Sequence, residues 1–147
     1  MTQDGELRRI EGEDYLHCIL RLELLESVPS DVKALFEVAR GAMIYGYFFY
    51  PLYTLATEQL FRVVEAAVLR KCKDLEAPKS KQTFQQGIEW LISEGIIPVS
   101  AKPRWDAVRQ LRNSTSHPNS QSIITPGIAI ELLEKIARQV NSLFNGG

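Results

Sequence analysis

The chain has 147 residues, 45% hydrophobic and 24% charged, with 17 Lys and Arg against 18 Asp and Glu. That size suits one domain and buries enough surface to fold without a disulfide or metal staple. No run of about 18 uncharged apolar residues occurs, which argues against a membrane span.

Residues 1–14 are polar and acid-rich, unlike a secretory signal. They read as an N-terminal arm that need not be ordered, ahead of a single domain over 15–147. The next segment, 15–26, fits two patterns. Leu16, Cys18, Leu20, Leu22 and Leu24 alternate as in a strand, whereas Tyr15, Cys18, Ile19, Leu22 and Leu25 fit a helix. Its leucine content favours helix. His17 reads as structural, and Cys18 and Cys72 as small core hydrophobes. Two cysteines make no disulfide framework, so a reduced, cytoplasmic protein is expected. Two histidines in all, His17 and His117, argue against a zinc site, and neither metal nor cofactor is expected.

Val28-Pro29-Ser30 breaks the chain. Ser30 or Asp31 is placed to cap a second helix running through Leu35, Val38, Ala39 and Ala42. An aromatic cluster follows, Tyr45, Tyr47, Phe48, Phe49, Tyr50 and Tyr53, which suits either core or a partner surface. Pro51 can open a long third helix reaching about Asp74. That helix is apolar on most sides, but Thr54, Glu58, Arg62 and Glu65 form a polar stripe. If the helix is central, these charges must be paired or face a wet groove.

A loop at 77–81 precedes a short helix from Thr83 to Glu94. Gly95, Pro98 and Pro103 mark another break. Trp105 to Ser116 reads as a helix with apolar positions Trp105, Val108, Leu111 and Thr115. A last helix carries Ile128, Leu132, Ile136 and Val140 at i, i+4 spacing, with Thr125 as N-cap and Pro126 as its first residue. The fold class is all-α, a bundle of about five or six helices.

Charge is segregated. Residues 1–37 hold nine acids and four bases, and 70–112 hold nine bases and five acids. The basic stretch could face a polyanion, or both could be ordinary solvated helix faces. Common nucleotide-loop, hydrolase and metalloprotease motifs are absent. The most informative string is Arg112-Asn113-Ser114-Thr115-Ser116-His117-Pro118. At about 100° per residue, Trp105, Arg109, Arg112 and Ser116 share a face within about 60°. Pro118 disfavours helical backbone at His117, so this imidazole sits where the helix ends and can titrate near neutrality. An arginine one turn back can clamp a phosphate. The plainer alternative is a polar helix terminus.

Arg112, four intervening residues and His117 resemble the Arg–x4–His motif of the HEPN superfamily (higher eukaryotes and prokaryotes nucleotide-binding domains). Asn113 matches the polar residue that often follows the arginine, and Arg62 with Glu65 is similar to the polar second-helix pattern of several branches. The resemblance covers roughly residues 30–144. It implies an up-and-down bundle that dimerises and, in many members, cleaves RNA without metal in toxin–antitoxin or phage-defence systems. Others are inactive modules binding a protein partner or nucleotide. Arg112 and His117 would then be catalytic, with Asn113, Ser116, Glu58, Arg62 and Glu65 in support. Lys102, Arg104 and Arg109 would bind RNA. The implied partners are RNA, a second copy of the chain, and an antitoxin or defence-complex component.

Overall fold

The computed structural model describes residues 14–115 and 125–145, and among them every regular element is helical. Residues 14–21 form α1. It is followed by α2 (Ser30–Gly46), α3 (Leu52–Asp74), α4 (Phe84–Ser93), a short 3-10 turn (Val99–Ala101), α5 (Lys102–Thr115) and α6 (Pro126–Phe144). No described helix is long and apolar enough to cross a membrane.

The ambiguous first segment is a helix only as far as residue 21, and 22–25 are irregular. Side chains from elsewhere satisfy that irregular backbone. Arg40 of α2 donates to the Leu22 carbonyl at 2.9 Å. Asn141 of α6 accepts from the Leu25 N–H at 2.7 Å and donates to the Glu23 carbonyl at 3.4 Å. Outside a helix these backbone groups lack intrahelical partners, and the side chains supply them on an exposed to half-buried segment. Within α1, Tyr15 and Ile19 are buried, while Leu16, His17 and Leu20 are exposed. His17, read as structural from its apolar neighbours, faces solvent. One turn separates Tyr15 from Ile19, and His17 lies on the opposite face. Cys72 is buried as expected, but Cys18 is only partly so.

Ser30 and Asp31 do not cap α2. The N-cap is Pro29, with no side-chain cap bond. Asp31, inside the first turn, accepts from the Val32 N–H at 3.0 Å and also binds Arg70 of α3 at 3.1 Å, joining the start of α2 to the end of α3. At the other end of α2 the Tyr47 N–H turns to the Ile44 carbonyl at 3.4 Å. The Met43 carbonyl then receives the Tyr15 hydroxyl. Helix termini leave carbonyls of this kind unpaired, and here the first helix supplies the donor. Burial, followed by the adjoining Tyr53 hydroxyl, holds the Tyr15 pKa above its ordinary value.

Helix α3 is the centre of the bundle, packing against α2, α4, α5 and α6. Leu60, Val63, Val64, Ala67 and Val68 are fully enclosed. Helix α4 lies close because Gly87 faces α3. A Cβ there would come within 2.8 Å of Val68 Cγ1 and 3.4 Å of Cys72 Sγ. Thr83 and Gln86 form a reciprocal capping box at the start of α4, the arrangement that satisfies two unpaired donors together. Thr125 caps α6 by accepting from the Ile128 N–H at 3.2 Å. Helix α5 starts at Lys102, three positions before the expected Trp105, because Pro103 fits the first turn of a helix, where no N–H is needed.

Candidate functional site

Helix α5 presents two flanks. Trp105 and Val108 are buried between them. One flank meets α3 and α4 through Arg112. Its guanidinium lies 3.0 Å from Glu65 Oε2, with both side chains about one-third exposed (36% and 33%). The same guanidinium sits 5.5 Å from the centroid of the Phe84 ring, at the first residue of α4. A carboxylate and an aromatic face thus fix the position and plane of Arg112. Three helices distant in sequence converge on one cation.

The polar stripe of α3 divides here. Glu65 faces Arg112, but Glu58 and Arg62 are exposed. Among the described residues no ion pair joins Arg62 to Glu58 or to Glu65. Of the charges expected to be paired or to face a groove, only Glu65 makes an ion pair among the described residues, and it does so with another helix. The reason is geometric: α3 is central but not enclosed all round. Thr54, Leu55, Glu58 and Arg62 are exposed, on the side that no described helix covers.

The basic residues of α5 are not gathered at one place. Arg109 is partly buried, and Lys102 pairs with Asp106 at 3.1 Å within the helix. Arg104 lies on the other flank, lining a groove shared with α6. Leu111, expected in the core stripe, is 41% exposed beside that groove. Asn113 is exposed. Ser116 and His117 lie outside the described residues.

The aromatic cluster splits as well. Tyr53 is buried at 1% exposure, whereas Tyr45, Tyr47, Phe48, Phe49 and Tyr50 are exposed, Phe48 most of all at 81%. The end of α2 and the α2–α3 connection together therefore carry five aromatic side chains on the surface, with no charged residue between Gly41 and Thr57. Phe84 is the site residue that sequence reasoning missed. It reads as a core position of α4, and nothing in a linear pattern links it to Arg112. Among the described residues, no three His, Cys, Asp or Glu side chains come together as a metal cluster.

No protein-family model, curated protein or solved structure matches the chain.

Proposed function

We propose that the chain is a metal-independent endoribonuclease of the HEPN type, a toxin or phage-defence effector that works as a two-fold dimer. The observation that supports this reading is the setting of Arg112. An arginine held by Glu65 and Phe84, yet one-third exposed, is a preorganised clamp for a phosphodiester. Glu65 is thereby a positioning residue, which gives the α3 carboxylate a role.

In the proposed reaction the ribose 2′-OH attacks the adjacent phosphorus and the 5′-oxygen leaves. A base accepts the 2′ proton, and an acid donates one to the leaving oxygen. The products are a 2′,3′-cyclic phosphate and a 5′-OH. His117, whose type titrates near neutrality, enters from the sequence alone as acid or base. Arg112 stabilises charge on the phosphoryl oxygens. Asn113 and Ser116 assist in orientation. One chain offers a single imidazole in this region, since His17 is on α1. A symmetric dimer supplies two, and two-fold contacts are the commonest form of self-association.

Purified protein in excess EDTA should cut RNA to cyclic-phosphate ends, and His117→Ala or Arg112→Ala should each remove the activity. Cleavage that survives both substitutions overturns the proposal. A mass near 16.7 kDa by light scattering, in a preparation that cuts RNA, overturns the shared dimeric site.

A second function, a non-catalytic module that binds a protein partner, is favoured by the exposed aromatics at Tyr45 to Tyr50. Such side chains are enriched in protein interfaces. If the wild type cuts no RNA, this becomes the better account.

A further inference from the structure

The flank of α5 turned away from Glu65 borders a cavity of about 490 Å³, within the roughly 300–1,000 Å³ typical of small-molecule sites. Trp105, Val108 and Leu111 of α5, Ile128 and Leu132 of α6, and Ile97 form its apolar walls. It follows α6 from Ile128 to Ser142, about 21 Å at 1.5 Å per residue, so it is elongated. Its charged lining residues are Arg104, Lys135 and Arg138 against one carboxylate, Glu131. Arg138 is 79% exposed and meets Glu134 at 3.8 Å, a loose contact.

A second observation lies in the wall. Gln139 is only 8% exposed. Its Nε2 donates to the Arg104 carbonyl at 3.2 Å, which fixes the orientation of the amide. Its Oε1 is buried with no hydrogen-bond partner. Buried acceptors are nearly always satisfied in a finished interior, so a water belongs beside Oε1, with one hydrogen donated to it and the other free for an anionic ligand.

We infer that the α5–α6 groove binds a small, elongated amphipathic anion of the fatty-acid class. Its apolar chain lies along Trp105, Val108, Leu111, Ile128 and Leu132. Its carboxylate sits among Arg104, Lys135 and Arg138. Apolar walls contribute little to a polyanion such as RNA, and a cationic amphiphile would meet the excess of positive charge. This site is separate from the Arg112 contact and does not depend on RNA cleavage.

Isothermal titration of the full chain with dodecanoate, below its micellar concentration, tests the inference. One saturable site is expected. The double variant Lys135→Glu, Arg138→Glu should weaken it about tenfold or more, as loss of charge-assisted contacts does. Both positions are exposed, and circular dichroism verifies that the variant folds. Dodecyltrimethylammonium, of equal chain length and opposite charge, should bind about tenfold or more weakly. Phe48→Ser, at the exposed aromatic turn, should leave dodecanoate binding unchanged. The inference is overturned if dodecanoate shows no saturable binding. It is equally overturned if binding survives the double charge reversal or is lost in Phe48→Ser, either of which places the acyl chain elsewhere.

Discussion

Arg112 of α5 and Glu65 of α3 meet at 3.0 Å, and this contact ties the last turns of α5 to the central helix. Water reaches both side chains, so Coulomb attraction between them is screened. A double-mutant cycle with Arg112→Ala and Glu65→Gln should give a coupling of about 0.5–1 kcal/mol in urea unfolding. Arg112→Ala should cost more than Glu65→Gln, because it also uncovers the Phe84 ring. A coupling near zero would mean that the pair does not hold Arg112 in place.

The exposed side of α3 makes a contrasting prediction. Arg62→Leu and Glu58→Gln should each change stability by no more than about 0.5 kcal/mol, since neither residue is buried. A loss of several kcal/mol on thermal unfolding would show that Arg62 has a buried role. On the catalytic proposal, Glu65→Gln should reduce RNA cleavage more than Glu58→Gln does.

Tyr15 gives the fold a pH dependence. Burial raises the pKa of its hydroxyl, so the folded state favours the neutral form. The stability it contributes is fully present below the unfolded tyrosine pKa of about 10 and is lost as pH rises above that. Tyr15→Phe should lower stability by about 1–2 kcal/mol at neutral pH, through the unpaired Met43 carbonyl. It should also lessen the alkaline loss. Tyr53, likewise raised chiefly by burial, keeps the variant from becoming fully pH-independent. Melting curves between pH 7 and 11 check both statements.

The α3–α4 contact depends on a missing side chain. In Gly87→Ala the new Cβ meets Val68 Cγ1 at 2.8 Å. Overpacking of this kind costs about 1–3 kcal/mol, against about 1 kcal/mol gained from helix propensity. A net loss on the order of 1 kcal/mol is expected by chemical denaturation. Thr83→Ala, which removes the α4 cap, should cost about 1 kcal/mol. An unchanged midpoint in Gly87→Ala would show that Val68 moves aside without strain.

The sequence by itself determined the helical class, the long α3, the bounds of α4 and the start of α6. Those features rest on local physics: apolar period, a capping threonine at Thr83 and Thr125, and proline at the first position of α6. Local rules also misled. Ser30 and Asp31 have the chemistry of a cap, but the N-cap position falls on Pro29, and Asp31, inside the first turn, divides its carboxylate between the Val32 N–H and Arg70 of another helix. Tertiary packing decided which charges meet. Glu58, Arg62 and Glu65 look equivalent along one stripe of α3, and only the placement of α4 and α5 distinguishes Glu65 from the others. Phe84 joins Arg112, and Arg104 separates from it, for the same reason. A periodic pattern specifies the face of a helix to be buried, but not the helix that buries it. That choice arises from the summed packing of the whole bundle, and it settles which side chains converge on Arg112.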